Sequence, residues 1–91
     1  MNFIRVNWKH DLPSEPTTIY SEVDDSGWEL RKVEVFANGA MGYASKLKSA
    51  GGTGLSKEPL PSLNEIAIDP QFDPVVISPD DFERIWKTAA S

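Results

Sequence analysis

The sequence contains no cysteine, which excludes a disulfide framework and any thiolate metal site and fits a reducing compartment. It contains a single histidine, His10. A lone imidazole with no cysteine and no orienting carboxylate in a recognisable pattern makes neither a metal site nor a catalytic triad, and Asp11 is its neighbour only in sequence. No run approaches the ~20 apolar residues of a membrane span, and the opening MNFIRVNWKH lacks the apolar core of a signal peptide. The expected location is therefore cytoplasmic. No phosphate-binding loop ending in Gly-Lys-Ser/Thr, no dinucleotide fingerprint and no serine in a nucleophile elbow occurs. The chain reads as a non-enzymatic domain without metal or cofactor. Basic residues are scarce at one end: residues 58–91 hold seven acids against Arg84 and Lys87, whereas residues 1–57 hold seven of each sign. The net charge of −5 thus lies in the C-terminal third, which repels nucleic acid and favours a basic partner.

What is present organises around residues 28–36, WELRKVEVF, the longest β-like run, which feeds into Asn38-Gly39. Asn-Gly between β-prone runs signals a hairpin with a two-residue type I′ turn. That turn pairs Phe36 with Met41, Glu34 with Tyr43 and Lys32 with Ser45 on one face, along with Trp28 and Leu30. It pairs Val35 with Gly42, Val33 with Ala44 and Arg31 with Lys46 on the other. The small Val/Gly/Ala face is expected to receive a helix. The aromatic face is either a second core, with Trp28 and Phe36 buried, or a recognition surface carrying Lys32, Glu34 and Tyr43.

Around this hairpin, residues 3–8 alternate, with Ile4, Val6 and Trp8 on one face. Pro13 and Pro16 break the ladder, 17–23 resumes it, and Asp24-Asp25-Ser26-Gly27 turns the chain. Residues 46–57, KLKSAGGTGLSK, read as a flexible loop. Ser62 and Glu65 match a capping box that opens a short helix with Leu63, Ile66 and Ala67 as its stripe, halted by Asp69-Pro70. Residues 72–77 contain Pro74 and form an edge strand at most. Ser78, Pro79, Asp80 and Asp81 then start an amphipathic helix with Phe82, Ile85, Trp86 and Ala89 on one face and a Glu83–Lys87 pair on the other. With 91 residues the expectation is one α+β domain: a sheet of about four antiparallel strands in a meander, packed on the C-terminal helix and the short helical segment. Residues 1–45 form the sheet, 46–61 a Gly/Pro-rich loop and 62–91 a helical C-terminal part.

Two sets of residues carry chemistry. Gly51, Gly52, Thr53 and Gly54, with lysines nearby, can form a backbone nest for an anion. Arg5, His10 and Arg31 are the side chains that would join it. Glu29 and Glu34 stand close enough to neutralise Arg31 and Lys32, and Asp24-x-x-Gly27 lacks the ligand density of a calcium loop.

Several runs taken together resemble a family of small bacterial domains of unknown function. They are Trp8-x-His10-Asp11, Tyr20-Ser21-Glu22, Trp28-Glu29-x-Arg31-Lys32-Val33-Glu34-x-Phe36, Gly42-Tyr43-Ala44 and Gly51-Gly52-Thr53-Gly54-Leu55. The resemblance covers nearly the whole chain, brings no catalytic residues with it and implies a stand-alone cytosolic domain. Pro59-Leu60-Pro61-Ser62-Leu63 and the 82–86 helix are similar to the ends of small immunity proteins that neutralise toxin domains. The resulting expectation is a protein-interaction domain of the immunity or antitoxin type, binding a basic partner through Lys32, Glu34, Tyr43, Asp80, Asp81 and Glu83. The alternative is a phosphate- or nucleotide-binding module built on Arg5, His10, Arg31 and the 51–54 loop.

Overall fold

In the computed structural model, which describes residues 1–91, six strands and two helices follow one another. They are β1 (Asn2–Trp8), β2 (Pro16–Val23), β3 (Glu29–Phe36), β4 (Met41–Ser45), β5 (Ser49–Ala50), α1 (Leu63–Ile68), β6 (Phe72–Val76) and α2 (Pro79–Ala90). All strands join one antiparallel sheet in the order β5-β4-β3-β2-β1-β6. The class is the expected α+β, but the sheet has six strands rather than about four. Pro74 does not keep β6 out of the ladder, because β6 occupies an edge, where a missing N–H is tolerated. Pro16 likewise opens β2 as its first residue. No helix is long and apolar enough to cross a membrane.

The Asn38-Gly39 hairpin forms one residue out of the expected register. Val35 faces Met41, Glu34 faces Gly42, Val33 faces Tyr43 and Lys32 faces Ala44. The loop has three residues, not two. Gly39 N–H donates to Phe36 O and Phe36 N–H to Ala40 O, both at 2.9 Å, and only Gly39 has positive φ, +87°. This is a type I turn closed by a glycine bulge, with Asn38 Oδ1 accepting from Ala40 N–H at 2.9 Å. The β2–β3 turn repeats the construction, with Asp24, Gly27 and Trp28 in the corresponding places.

A slip of one residue exchanges the faces of β4 against β3, so the layers differ from those expected. Val33 and Val35 share a face with Met41 and Tyr43, not with Gly42 and Ala44. It is this larger apolar face that α2 covers. Phe82 and Val33 are fully buried there, Phe3 lies 5.4 Å from the Phe82 ring, and Tyr43 meets Trp86 edge to face at 5.5 Å. Trp28, expected in the core, is 44% exposed, and Phe36 is half-buried.

Arg31 pins α2 to the sheet. Its guanidinium pairs with Glu22 at 2.6 Å and with Glu83 of α2. It also lies 4.9 Å from the Phe82 ring centre and 5.1 Å from that of Trp86. Glu83 is therefore taken by Arg31 instead of forming the expected exposed bridge to Lys87. The partner that forms on the exposed side of the helix is Arg84 with Asp81. The hydrogen bond from Arg31 holds the Glu83 carboxyl below the ordinary glutamate value, and the same bond raises Arg31. A carboxylate lowered by folding adds stability that is present above its unfolded pKa and is lost as pH falls through the folded one. Arg31→Met should cost about 1–2 kcal/mol at neutral pH. It should also flatten the acid limb of stability below pH 4.5, the ordinary glutamate value. Urea unfolding across that range would show it; parallel pH profiles for the two proteins would contradict the pairing.

Candidate functional site

The second face of the sheet carries Ile4, Val6, Ile19, Ser21, Lys32, Glu34, Gly42 and Ala44, a mixture of apolar and ionised side chains. A bulge at the start of β3 adds one more. Glu22 pairs with Arg31 while its neighbour Val23 pairs with Glu29. The skipped residue Leu30 thereby brings Glu29 onto the side of Lys32, where strict alternation would not put it.

The ionised side chains of this face tie down the segment after β5. Glu29 is only 5% exposed. It accepts from Ser21 Oγ at 2.7 Å and from the Ser56 N–H at 2.8 Å, and Lys32 Nζ stands 3.1 Å away. Lys32 donates onward to Gly54 O at 3.0 Å, and Thr53 Oγ1 donates to Glu34 at 2.7 Å. A buried carboxylate is tolerated only when paired and hydrogen-bonded, and here its bond from Ser56 N–H and the onward bond from Lys32 to Gly54 O also fix residues 54–56. Gly42 allows the approach: a Cβ there would stand 2.1 Å from Thr53 Oγ1. The 46–57 segment, expected as a loop from its glycines, is thus tied to the sheet at Thr53, Gly54 and Ser56. It contains β5, and Thr53 is buried.

Beside this latch lies a cleft of about 340 Å3. Its floor is Ile4, Val6 and Ile19; its walls are Leu60, Pro61, Ile66 and Phe72; Glu29, Lys32, Glu65 and Asp69 supply its charge. An adjoining cavity of about 260 Å3 shares Ile4, Leu60 and Pro61 and reaches Asp24, Asp25 and Val76. Leu60 is held there by its N–H, which donates to Gly27 O at 2.8 Å. The local sequence places the rim. Ser62 caps α1, its Oγ accepting from Glu65 N–H at 3.2 Å and donating to the Glu65 carboxylate at 3.1 Å. Asp69 ends the helix and accepts from Gln71 N–H at 3.0 Å. An apolar floor with a few converging charges is the usual make-up of a binding site.

The residues singled out from sequence are dispersed. Lys32 and Glu34 belong to the latch and not to an open surface. Tyr43 is on the opposite face against Trp86, with Lys48 Nζ 5.7 Å from its ring. Asp80 and Asp81 are exposed in the first turn of α2, and Glu83 is engaged by Arg31. Arg5 and Arg31 face α2, whereas the 51–54 segment lies over β4 on the other side. His10 sits past the end of β1. Its Nδ1 accepts from Leu12 N–H at 2.9 Å and its Nε2 donates to Pro16 O at 2.7 Å, so both ring nitrogens hold backbone. The structure therefore does not bring Arg5, His10, Arg31 and the glycines together. Sequence reading missed Ser21, Ser56 and Ile66 as parts of the site. No three acidic or histidine side chains gather closely enough to hold a metal ion.

Over residues 2–91 the chain belongs to the DUF6881 family, a domain of unknown function, as the resemblance of its motifs implied. No curated protein and no solved structure matches it.

Proposed function

We propose that this DUF6881 domain is a non-enzymatic interaction module whose cleft over Ile4, Val6 and Ile19 receives an apolar side chain of a protein partner. The observation that carries this reading is the balance of the cleft. Its floor is apolar, Lys32 is already neutralised by Glu29 and Asp25 by the Met1 ammonium, and the remaining rim charges, Glu65, Asp69 and Asp24, are all acidic. An anchor flanked by lysine or arginine complements that surface. Asp80 and Asp81 lie on the other layer, where their charge adds long-range attraction for a basic partner rather than contact in the cleft. Masking a basic toxin domain, as immunity proteins do, is the specific role we propose for such chemistry.

The test is a set of short peptides with one Phe, Leu or Trp anchor and basic, neutral or acidic flanks, titrated into the 15N-labelled protein. Basic-flanked peptides should shift the amides of Ser21, Lys32 and Ile66. The double charge reversal Glu65→Lys with Asp69→Lys should weaken them about tenfold at low salt. Shifts confined to the α2 face, or no preference for basic flanks, would refute the cleft as the recognition site.

A further inference from the structure

The opposite layer holds a third cavity, of about 320 Å3, between the sheet and α2, lined by Arg5, Tyr20, Ile77, Asp81, Arg84, Ile85 and Thr88. Arg5 rises from β1 directly opposite Tyr20 of β2. Its Nε is buried and meets no acceptor of the protein. Arg5 also takes part in none of the ion pairs that occupy Arg31, Lys32 and Arg84. Nε is covered by protein atoms, so a ligand in the cavity reaches Arg5 through its terminal fork, which is not among the buried nitrogens and takes part in no ion pair. Arg84, largely exposed, reaches the same cavity from α2 and is paired there with Asp81, the one acidic lining residue, so a bound phosphate would share Arg84 with that carboxylate. The cavity is thus a locally positive site in a chain of net charge −5.

We propose that Arg5 and Arg84 bind the phosphate group of a small phosphate monoester, whose organic part packs against Ile77 and Ile85. The donors come from two layers: Arg5 on β1 of the sheet and Arg84 on α2, with Tyr20 of β2 between them in the lining. Such a spread suits a tetrahedral group with oxygens pointing in several directions, and guanidinium forks match phosphate oxygens in pairs. The cavity also exceeds what a bare phosphate fills, which leaves room for an apolar body. This site is independent of the cleft on the other face, so neither proposal depends on the other.

The probe is phenyl phosphate, titrated into the 15N-labelled protein with the Arg5 Nε–H signal as the reporter. That signal should move saturably. Inorganic phosphate should move it with about tenfold weaker affinity, since it lacks the apolar body, and benzoate should bind more weakly than phenyl phosphate. Arg84→Gln, a change at an exposed residue, should weaken phenyl phosphate about tenfold or more. Lys87→Gln, on the same helix outside the cavity, should leave affinity unchanged. An Arg5 Nε–H signal that does not respond would overturn the proposal. So would unchanged affinity in Arg84→Gln, equal losses in Arg84→Gln and Lys87→Gln, or benzoate binding as tightly as phenyl phosphate.

Discussion

Glu29→Ala should destabilise the domain by about 3 kcal/mol, lowering the melting temperature by on the order of 15 °C. The carboxylate is 5% exposed and meets Ser21 Oγ, Ser56 N–H and Lys32 Nζ together. Removing it leaves the Ser21 hydroxyl and the Ser56 N–H without their acceptor and the Lys32 ammonium with Gly54 O alone, and truncation of one partner costs more than the pair itself contributes. A domain of this size has about 5–10 kcal/mol in total, so the loss is a large share. The latch predicts a local signature as well. Exchange of the Ser56 amide should rise in Glu29→Ala far more than exchange in β2, and a Glu29→Gln, Lys32→Met double variant should lose less than the two single losses added, by about 1–2 kcal/mol. A loss under ~1 kcal/mol, with Ser56 exchange unchanged, would mean that the 53–56 segment is held by something else.

Gly42→Ala should cost about 2–3 kcal/mol through crowding. The backbone at Gly42 is ordinary strand, so the reason is space and not conformation. A methyl group there meets Thr53 Oγ1 at 2.1 Å, Ala50 O at 3.1 Å and Gly51 O at 3.2 Å. The carbonyls belong to the backbone of β5 and its turn and cannot rotate away, so Thr53 must leave and Glu34 loses its donor. Thr53→Ala removes the nearest atom. In the Gly42→Ala background it should cost almost nothing further, whereas in the natural protein it should cost about 1 kcal/mol for the lost hydrogen bond. Thermal or urea unfolding of the four proteins measures this cycle. Strict additivity would show that Gly42 and Thr53 do not meet.

Both predictions rest on a face of β3 that sequence reading located but did not interpret. Lys32 and Glu34 share a side, as alternation requires, yet Asn38-Gly39 serves a two-residue turn and a three-residue turn equally well. Only the second puts Met41 and Tyr43 with Val33 and Val35. The signal that separates them was available: it is the register that gathers the apolar residues of both strands onto one side. The bulge that turns Glu29 inward had no such signal, because a skipped Leu30 looks like any strand residue until Val23 is seen to pair with Glu29. Local chemistry was legible wherever it was self-contained. Ser78, Pro79 and the Phe82, Ile85, Trp86 stripe define α2 without reference to the rest of the chain, and Ser62 with Glu65 does the same for α1. The fate of Glu83 was not legible, since Arg31 reaches it across the layers and Lys87 is closer only along the helix. The glycines of the 51–54 segment suggested mobility, and one of them, Gly51, packs directly on Gly42, where a Cβ on Gly51 would stand 2.7 Å from the Gly42 Cα.

The two borders of the sheet have a consequence for how it can be approached. β5 is only two residues long, and β6 carries Asp73 and Pro74 at its middle. A short border and one interrupted by a charge and a missing N–H are poor templates for an added strand. Lengthening of the ladder by backbone pairing, with a second copy or a foreign peptide, is disfavoured at both ends. Fibre growth is discouraged by the same device, and what the domain leaves open are the side chains of its two broad faces.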